Sequence, residues 1–466
     1  MNKKEKDHRF KSVLTIGSNK FEVICDLTLP KSVYKNPIVL IHLNQEQLHI
    51  AAYSNSDMAL YGTNGQQEIV IEKAYFESGN QQSWGKEISE VQMVIVPKKL
   101  EIIEKVSDVG VNQVTFILTD SIYLQPSEFF TLSYDGTITH YAESKYKSFN
   151  LDADKTVVFK NQHKWENDDH KTIRSTELTG EIKLCKSTQP VDQVSECISL
   201  MEDYLLLISF CENRRIMFNR YVVQNTKEIK KVFLLNKVLP KHKKDHFINS
   251  FLLYPDEIDK KINIVWTGFR NSKYTSDLRN AIYGHMSDFD DLGETIFLRY
   301  FSTIETLCSV YRKENQMELI FEASLWRKLK STLKKSVKKM YADKSYKLQR
   351  SEIYKNIEGV NRVSLSCVLN SINSEKEVVV EDLWPLLTES RVCSLTEIRN
   401  KLTHGVGLSK QQHEHFFVSL RSIKILARRY LLVFLGCNSL DGKCYKRSPE
   451  FAEKWKASMN ELSDWQ

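Results

Sequence analysis

The hydrophobic periodicity of this chain shifts near Pro255, from mainly strand-like to helical, and that change constrains the fold more than any other feature. Before it, short segments rich in Val, Ile, Thr, Phe and Tyr alternate apolar with polar residues. Turn-forming clusters separate them, such as 62–65 (GTNG) and Asp135 followed by Gly136. Strands are expected over 21–29, 37–43, 47–53, 68–72, 91–96, 113–118 and 129–134. A helix over 191–211 and a strand pair over 215–223 and 230–235 follow. Regular short strands of this kind favour a sandwich or barrel over a parallel α/β sheet. After Pro255, apolar residues recur every three to four positions, which predicts helices over 292–311, 318–340, 352–358, 360–372 and 410–435. The last helix is expected to carry Phe416, Phe417, Leu420, Ile423, Ala427, Leu431 and Phe434 along one side. The fold class is therefore α+β: a β-rich N-terminal half, sandwich- or barrel-like with an inserted helix, followed by an all-α bundle. The boundary falls within 255–291. Set at 275/276, it gives a β-rich regulatory or sensor domain (1–275), a helical domain (276–436) and a mixed, charged tail (437–466) that either docks on the bundle or hangs free.

Composition removes several function classes. In a chain of 466 residues, a 41% hydrophobic fraction is enough to fill the cores of two domains. No apolar run approaches the length needed to cross a bilayer. The basic N-terminus is followed by alternation rather than a continuous apolar segment, so no secretory signal is expected. The nine cysteines are scattered and form no Cys-x-x-Cys, which fits a reduced, cytoplasmic setting. There is neither a His-Glu-x-x-His zinc motif nor a phosphate-binding Gly-x4-Gly-Lys-Ser/Thr loop. His242 and His246 lie four apart without a clear third ligand, and His413 and His415 point to different sides of a helix. Cys437 and Cys444 have no partner pair. No metal and no cofactor is expected.

Residues 394–405, SLTEIRNKLTHG, carry the most chemistry. Ser394 and Glu397 form a capping-box pattern, so a helix should begin right after Ser394. Leu395, Ile398 and Leu402 give it one apolar face, Gly405 and Gly407 mark its end, and Ser409 with Gln412 starts the long final helix. On an ideal helix Arg399 and His404 would stand ~140° apart. Because His404 immediately precedes the terminal glycine, its side chain can turn toward the edge that displays Arg399 and Asn400. A guanidinium, an amide and an imidazole at one helix end suit phosphodiester cleavage. Arg presents a fixed fork of donors matched to phosphate oxygens and stabilises charge building up on phosphorus. His exchanges a proton near neutral pH. With RNA, the neighbouring 2′-hydroxyl is the nucleophile. One imidazole per chain does not readily act as base and acid at once, so a second copy facing the first is expected to complete the site.

The run Arg399, Asn400, Lys401, Leu402, Thr403, His404 resembles the signature of HEPN domains: Arg, a polar residue, three variable residues, His. The preceding Glu397-Ile398 and the following Gly405 are similar as well. The whole layout, β-rich then helical, resembles the ApeA-like family of anti-phage abortive-infection proteins. The resemblance implies a dimerising helical bundle with metal-independent endoribonuclease activity that leaves 2′,3′-cyclic phosphate and 5′-hydroxyl ends. Its substrate would be cellular RNA, tRNA included, cut after a phage-derived trigger. It also implies a homodimer or higher even oligomer. By matching positions, Arg399 and His404 take the catalytic roles and Asn400 the supporting polar one. The alternative is a catalytically inactive HEPN scaffold that binds RNA or protein.

Other residues carry two readings each. Glu305, an acid among apolar neighbours in 302–307, is either a buried charge paired with an Arg or a group that orients Arg399 or His404. A looser Arg-to-His match, Arg279 to His285, lacks the helix-cap frame and is set aside. Trp84, between Gly79 and Gly85, is either a core side chain or a loop-borne recognition residue. From Arg327 to Arg350 there are ten Lys or Arg against one acid, Asp343. Leu325, Leu329, Leu333 and Val337 predict a buried stripe on this helix. Lys330, Lys334, Lys335, Lys338 and Lys339 predict a basic side, which is either a solvated face or a contact for RNA phosphates.

Overall fold

The computed structural model describes residues 8–30, 34–44, 46–47, 49, 58–84, 87–107, 112–126, 129–132, 138–141, 146–168, 171–184, 190–234, 252–286, 292–386, 394–406, 408, 410–444, 446, 450, 453 and 457. The chain divides into two units, 1–250 and 251–466.

In the first unit, twelve of the described strands form one antiparallel sheet, part of which closes on itself. The closed part comprises β1 (His8–Ile16), β2 (Asn19–Thr28), β3 (Ile38–Leu43), β4 (Met58–Thr63), β5 (Gln67–Trp84) and β6 (Glu87–Lys105). They run β6-β3-β2-β1-β4-β5 and back to β6, a six-stranded barrel. Strict alternation builds it: in β1, Phe10, Ser12, Leu14 and Ile16 are buried while Arg9, Lys11 and Val13 face out. Val23, Cys25, Ile69, Ile71, Met93 and Ile95 supply further inward side chains from β2, β5 and β6. Each such side chain withdrawn from water contributes roughly 1.5–3 kcal/mol before chain entropy is charged against it.

β6 serves twice. Its residues 91–95 pair with β3, and its residues 99–105 pair with β14 (Glu228–Leu234). From β14 the sheet fans out through β13 (Phe218–Gln224), β7 (Gln113–Leu118), β12 (Lys171–Lys183) and β11 (Thr156–Asp168) to β10 (Lys147–Asn150). A separate hairpin joins β8 (Phe129–Leu132) to β9 (Ile138–Tyr141). Helix α1 (Pro190–Glu212) packs on the fan. Its Tyr204 stacks on Phe149 and Phe159, with ring centroids 4.5 and 5.8 Å away. Gly180 of β12 lets Met201 approach, since a Cβ there would lie 3.1 Å from the Met201 methyl group. At the far end of α1 the buried Glu212 carboxylate accepts hydrogen bonds from the Ser121 hydroxyl and from the amides of Ile122 and Tyr123.

The expected strands 21–29, 37–43, 68–72, 91–96, 113–118 and 215–235 correspond to β2, β3, β5, β6, β7 and the β13–β14 pair, and the helix over 191–211 to α1. The segment 47–53 does not start as a strand, because Glu46, Gln47 and His49 are helical. Asn44 and Gln47 cap one another: the Gln47 amide donates to Asn44 Oδ1 at 2.8 Å, and the Asn44 amide to Gln47 Oε1 at 3.0 Å. β1, β4 and the β10–β12 hairpins were not foreseen. In β11 and β12 the outward residues are so polar that Val157, Phe159, Leu178 and Ile182 are sparse markers of the buried side.

The second unit holds α2 (Pro255–Asn271), α3 (Thr275–His285), α4 (Gly293–Glu314), α5 (Ala323–Met340), α6 (Lys347–Ile357), α7 (Leu365–Glu375), α8 (Leu395–Thr403) and α9 (Lys410–Phe434). α4 is the hub and packs against α3, α7, α8 and α9. α9 is fastened by Arg429, whose fully buried guanidinium grips Asp382 through two bonds of 2.6 and 2.9 Å. The same guanidinium also donates to the carbonyls of Val379 and Cys444.

Several expectations change here. The division at 250/251 groups α2 with the helical unit, ahead of the boundary set at 275/276. For residues 437–444, at the start of the tail, the docked reading holds: Lys261 pairs with Asp441 at 2.7 Å, and the Lys443 amide donates to the Leu252 carbonyl. Phe417 is 70% exposed, about 100° round α9 from the buried Phe416. The Leu325 stripe is not buried either. α5 has no buried residue, and Leu325 is 54% exposed. That helix starts at Ala323 rather than 318, because Leu319 forms a bridge with Arg362 and Phe321 is bound on both sides by the Asn361 amide group.

Candidate functional site

α8 begins where its capping residue dictates. The Ser394 hydroxyl accepts the Glu397 amide at 3.1 Å, and the first amides of the helix, Leu395 and Thr396, bond the Pro385 and Leu386 carbonyls. Leu395 and Ile398 are buried; Asn400 lies on the exposed side opposite them, and Arg399, one turn on from Leu395, sits at the edge of the buried face. The helix ends in a Schellman motif: the Val406 amide reaches the Lys401 carbonyl at 2.9 Å, and the Gly405 amide the Leu402 carbonyl at 3.3 Å. Gly405 has φ +66°, a left-handed conformation that costs other L-residues about 1–2 kcal/mol. His404 is the C-cap residue, with φ −89° and ψ 6°, and is exposed.

Arg399 meets three partners. Its Nη2 donates to Glu305 Oε1 at 2.9 Å, its Nη1 donates to Asn400 Oδ1 at 3.1 Å, and the guanidinium lies 5.7 Å from the centre of the Phe301 ring. Glu305 and Phe301 are four residues apart on α4, hence on one face of it. The Arg399 and Glu305 side chains are 31% and 39% accessible, so the pair is open to solvent and not the buried charge that was one reading of Glu305. Among the described residues, two of the five guanidinium N–H groups are engaged in side-chain hydrogen bonds. The structure thus brings Arg399, Asn400 and Glu305 together. Among the described residues, no hydrogen bond joins the His404 imidazole to them. Phe301 was missed, although its spacing to Glu305 was the available signal.

The second Arg-to-His match has a structural role. His285, at the end of α3, is 2% exposed and lies 5.2 Å from the Tyr300 ring. Arg428 Nε donates to its Nε2 at 3.2 Å, which requires a lone pair there and hence a neutral imidazole. Burial, then the positive charges of Arg428 and Lys424, hold its pKa well below the ordinary histidine value. His413 is exposed. His242, His246, Gly407, Ser409 and the side chain of His415 lie outside the described residues, as does the side chain of Trp84, which ends β5 on a strand and not in a loop. Cys444 is buried, and burial pushes its thiol up to about 12. Among the described residues, no group of three or more His, Cys, Asp or Glu is placed to hold a metal ion. Nor is any helix among them long and apolar enough to cross a membrane.

The basic helix α5 forms a hairpin with α6. Lys330, Lys334, Lys335 and Lys338 line an open groove of about 490 Å³ together with Arg327, Ser331 and Tyr354. Lys339 does not line it.

The fold and this cluster define an α+β protein: a β-rich unit containing a closed six-stranded barrel, and a helical unit with an accessible Arg-Asn-Glu cluster on a short capped helix. Comparison with protein-family models, curated proteins and solved structures finds no match to this chain.

Proposed function

We propose that the helical unit is an endoribonuclease of the HEPN kind, working without a metal, and that the β-rich unit regulates it in anti-phage defence. The observation that carries this reading is the posture of Arg399. Its guanidinium is held by Glu305 and Asn400 at the rim of a capped helix end, with donors still available to phosphate oxygens. His404, five residues on and exposed, supplies the proton transfer, while the RNA 2′-hydroxyl attacks the adjacent phosphorus and the 5′-oxygen leaves. The products are a 2′,3′-cyclic phosphate and a 5′-hydroxyl. A second copy of the chain brings the second imidazole. Val406, 54% exposed next to the motif, and Phe417, 70% exposed on α9, are apolar side chains suited to such a contact. Cellular RNA, tRNA included, is the proposed substrate.

One observation favours the second reading, a scaffold that binds without cutting: the Arg399–Glu305 ion pair would also satisfy an arginine with a purely architectural task. Purified protein incubated with RNA in EDTA separates the two. Cleavage with cyclic-phosphate ends is expected. Arg399→Ala and His404→Ala should each lower the rate by roughly 10²–10⁴-fold while the far-UV spectrum stays unchanged. Cutting that continues undiminished in both variants refutes the assignment.

A further inference from the structure

α5 carries seven cations and no carboxylate in eighteen residues, and its apolar side chains are not used to bury it. The excursion from 323 to 357 is rooted at a buried residue, Asn361. Its side chain accepts the Phe321 amide at 2.8 Å and donates to the Phe321 carbonyl at 3.1 Å. At the other end Arg350 donates to the Tyr341 and Ala342 carbonyls, closing the last turn of α5 against α6. In the middle the Tyr354 hydroxyl donates to the Lys334 carbonyl, and the Lys334 ammonium lies 5.6 Å from the Tyr354 ring centre. The arm is a two-helix hairpin fastened at three levels, with a cationic groove along it.

We propose that this groove holds the sugar-phosphate backbone of single-stranded RNA, apart from the residues that cut it. Arg327, Lys330, Lys334 and Lys338 recur every three or four residues, so their charges stand in a row along ~16 Å of one helix face. A row of evenly spaced cations in a concavity matches a flexible chain of evenly spaced anions. It gives affinity with little sequence preference. The Tyr354 ring in the same groove offers a face on which a base can stack. A lipid surface fits less well. It would need the apolar stripe and the cations on one outward face, whereas Leu329, Leu333 and Val337 lie round the helix from the groove and are half-buried.

This inference takes RNA as its ligand from the nuclease reading, and the test keeps the two apart. Binding is measured on the full chain carrying Arg399→Ala, which does not consume the probe, by fluorescence anisotropy with a labelled single-stranded RNA over a range of salt. Two pairs of substitutions remove the same charge from the same helix: Lys334→Gln with Lys338→Gln inside the groove, and Lys328→Gln with Lys339→Gln outside it. The groove pair should weaken binding at low salt by ten-fold or more and flatten the log-log salt slope by about 1.4. The outer pair should change affinity less than two-fold, and Lys334→Arg with Lys338→Arg should restore it. Equal losses from both pairs, or none from either, overturn the proposal. So does co-sedimentation with phosphatidylserine vesicles that the groove pair abolishes while RNA binding stays intact. Groove-dependent binding in a chain whose wild type never cuts RNA supports the groove and sinks the nuclease reading. Cutting that ignores the groove pair, with RNA affinity also unchanged, does the reverse.

Discussion

Arg399 shows how a single side chain is readied. A free arginine side chain gives up ~2 kcal/mol of rotamer entropy when it is fixed. Here Glu305, Asn400 and the Phe301 ring have already limited that freedom. In the proposed reaction Glu305 acts as a positioning residue. Glu305→Ala should lower the cleavage rate at saturating RNA by at least ten-fold with little change in KM, and Glu305→Asp should recover part of it. Because the ion pair is open to solvent, unfolding free energy should move by less than about 1 kcal/mol. A drop in stability with unchanged kcat would make Glu305 merely structural. Much of this cluster was visible in the sequence, since Ser394, Glu397 and Gly405 punctuate a short helix and so fix where Arg399 sits. The Glu305 partnership was legible only as one of two readings, because its two members are 94 residues apart and meet only once α4 and α8 pack.

At the level of elements, α8 is too short to be stable alone and takes its position from its neighbours. Its first amides bond to Pro385 and Leu386, and the stretch just before them is tied to α9 by the Asp382–Arg429 pair. Removing one partner of a buried pair strands the other charge. Asp382→Ala should accordingly cost about 3–5 kcal/mol in urea unfolding and reduce RNA cleavage with it. A variant that unfolds at the wild-type urea concentration would contradict this account. The long periodic helices α4 and α9 were readable because burial follows their period. α5 was misread because its leucines keep the period of a buried stripe, yet none of its residues is buried. Period reports which residues share a face; it does not report whether anything lies on it.

Across the molecule, the change from alternation to helical periodicity gave the two-unit plan. The closed barrel and the division at 250/251 depend on pairings between distant strands that no local pattern encodes. The helical unit also carries its own acid sensitivity. His285 is neutral and buried, so its pKa in the folded chain lies below that of the unfolded chain. The unfolded chain therefore binds the extra proton first as pH falls below about 6.5, and stability is lost in that direction by at most about 1.4 kcal/mol per pH unit. Thermal unfolding at pH 5.0 should begin at a lower temperature than at pH 7.5, and the gap should narrow in His285→Gln, whose amide oxygen can still accept from Arg428. An identical gap in the variant would assign the acid sensitivity to other groups.

β6 has a further implication. Residues 99–105 lie between β5 on one side and β14 on the other, and Glu101 is stitched to Lys99 on its own strand and to Lys230 across the seam. Burial of that carboxyl raises its pKa, but the two lysine hydrogen bonds outweigh this and leave it below its ordinary value. Amputating the fan would unpair residues 99–105 of β6 on the β14 side and take Lys230 away from Glu101. The seam with β3 and the pairing with β5 would still close the barrel, so such a truncation would leave it bearing one bare strand edge, open to pairing with another chain.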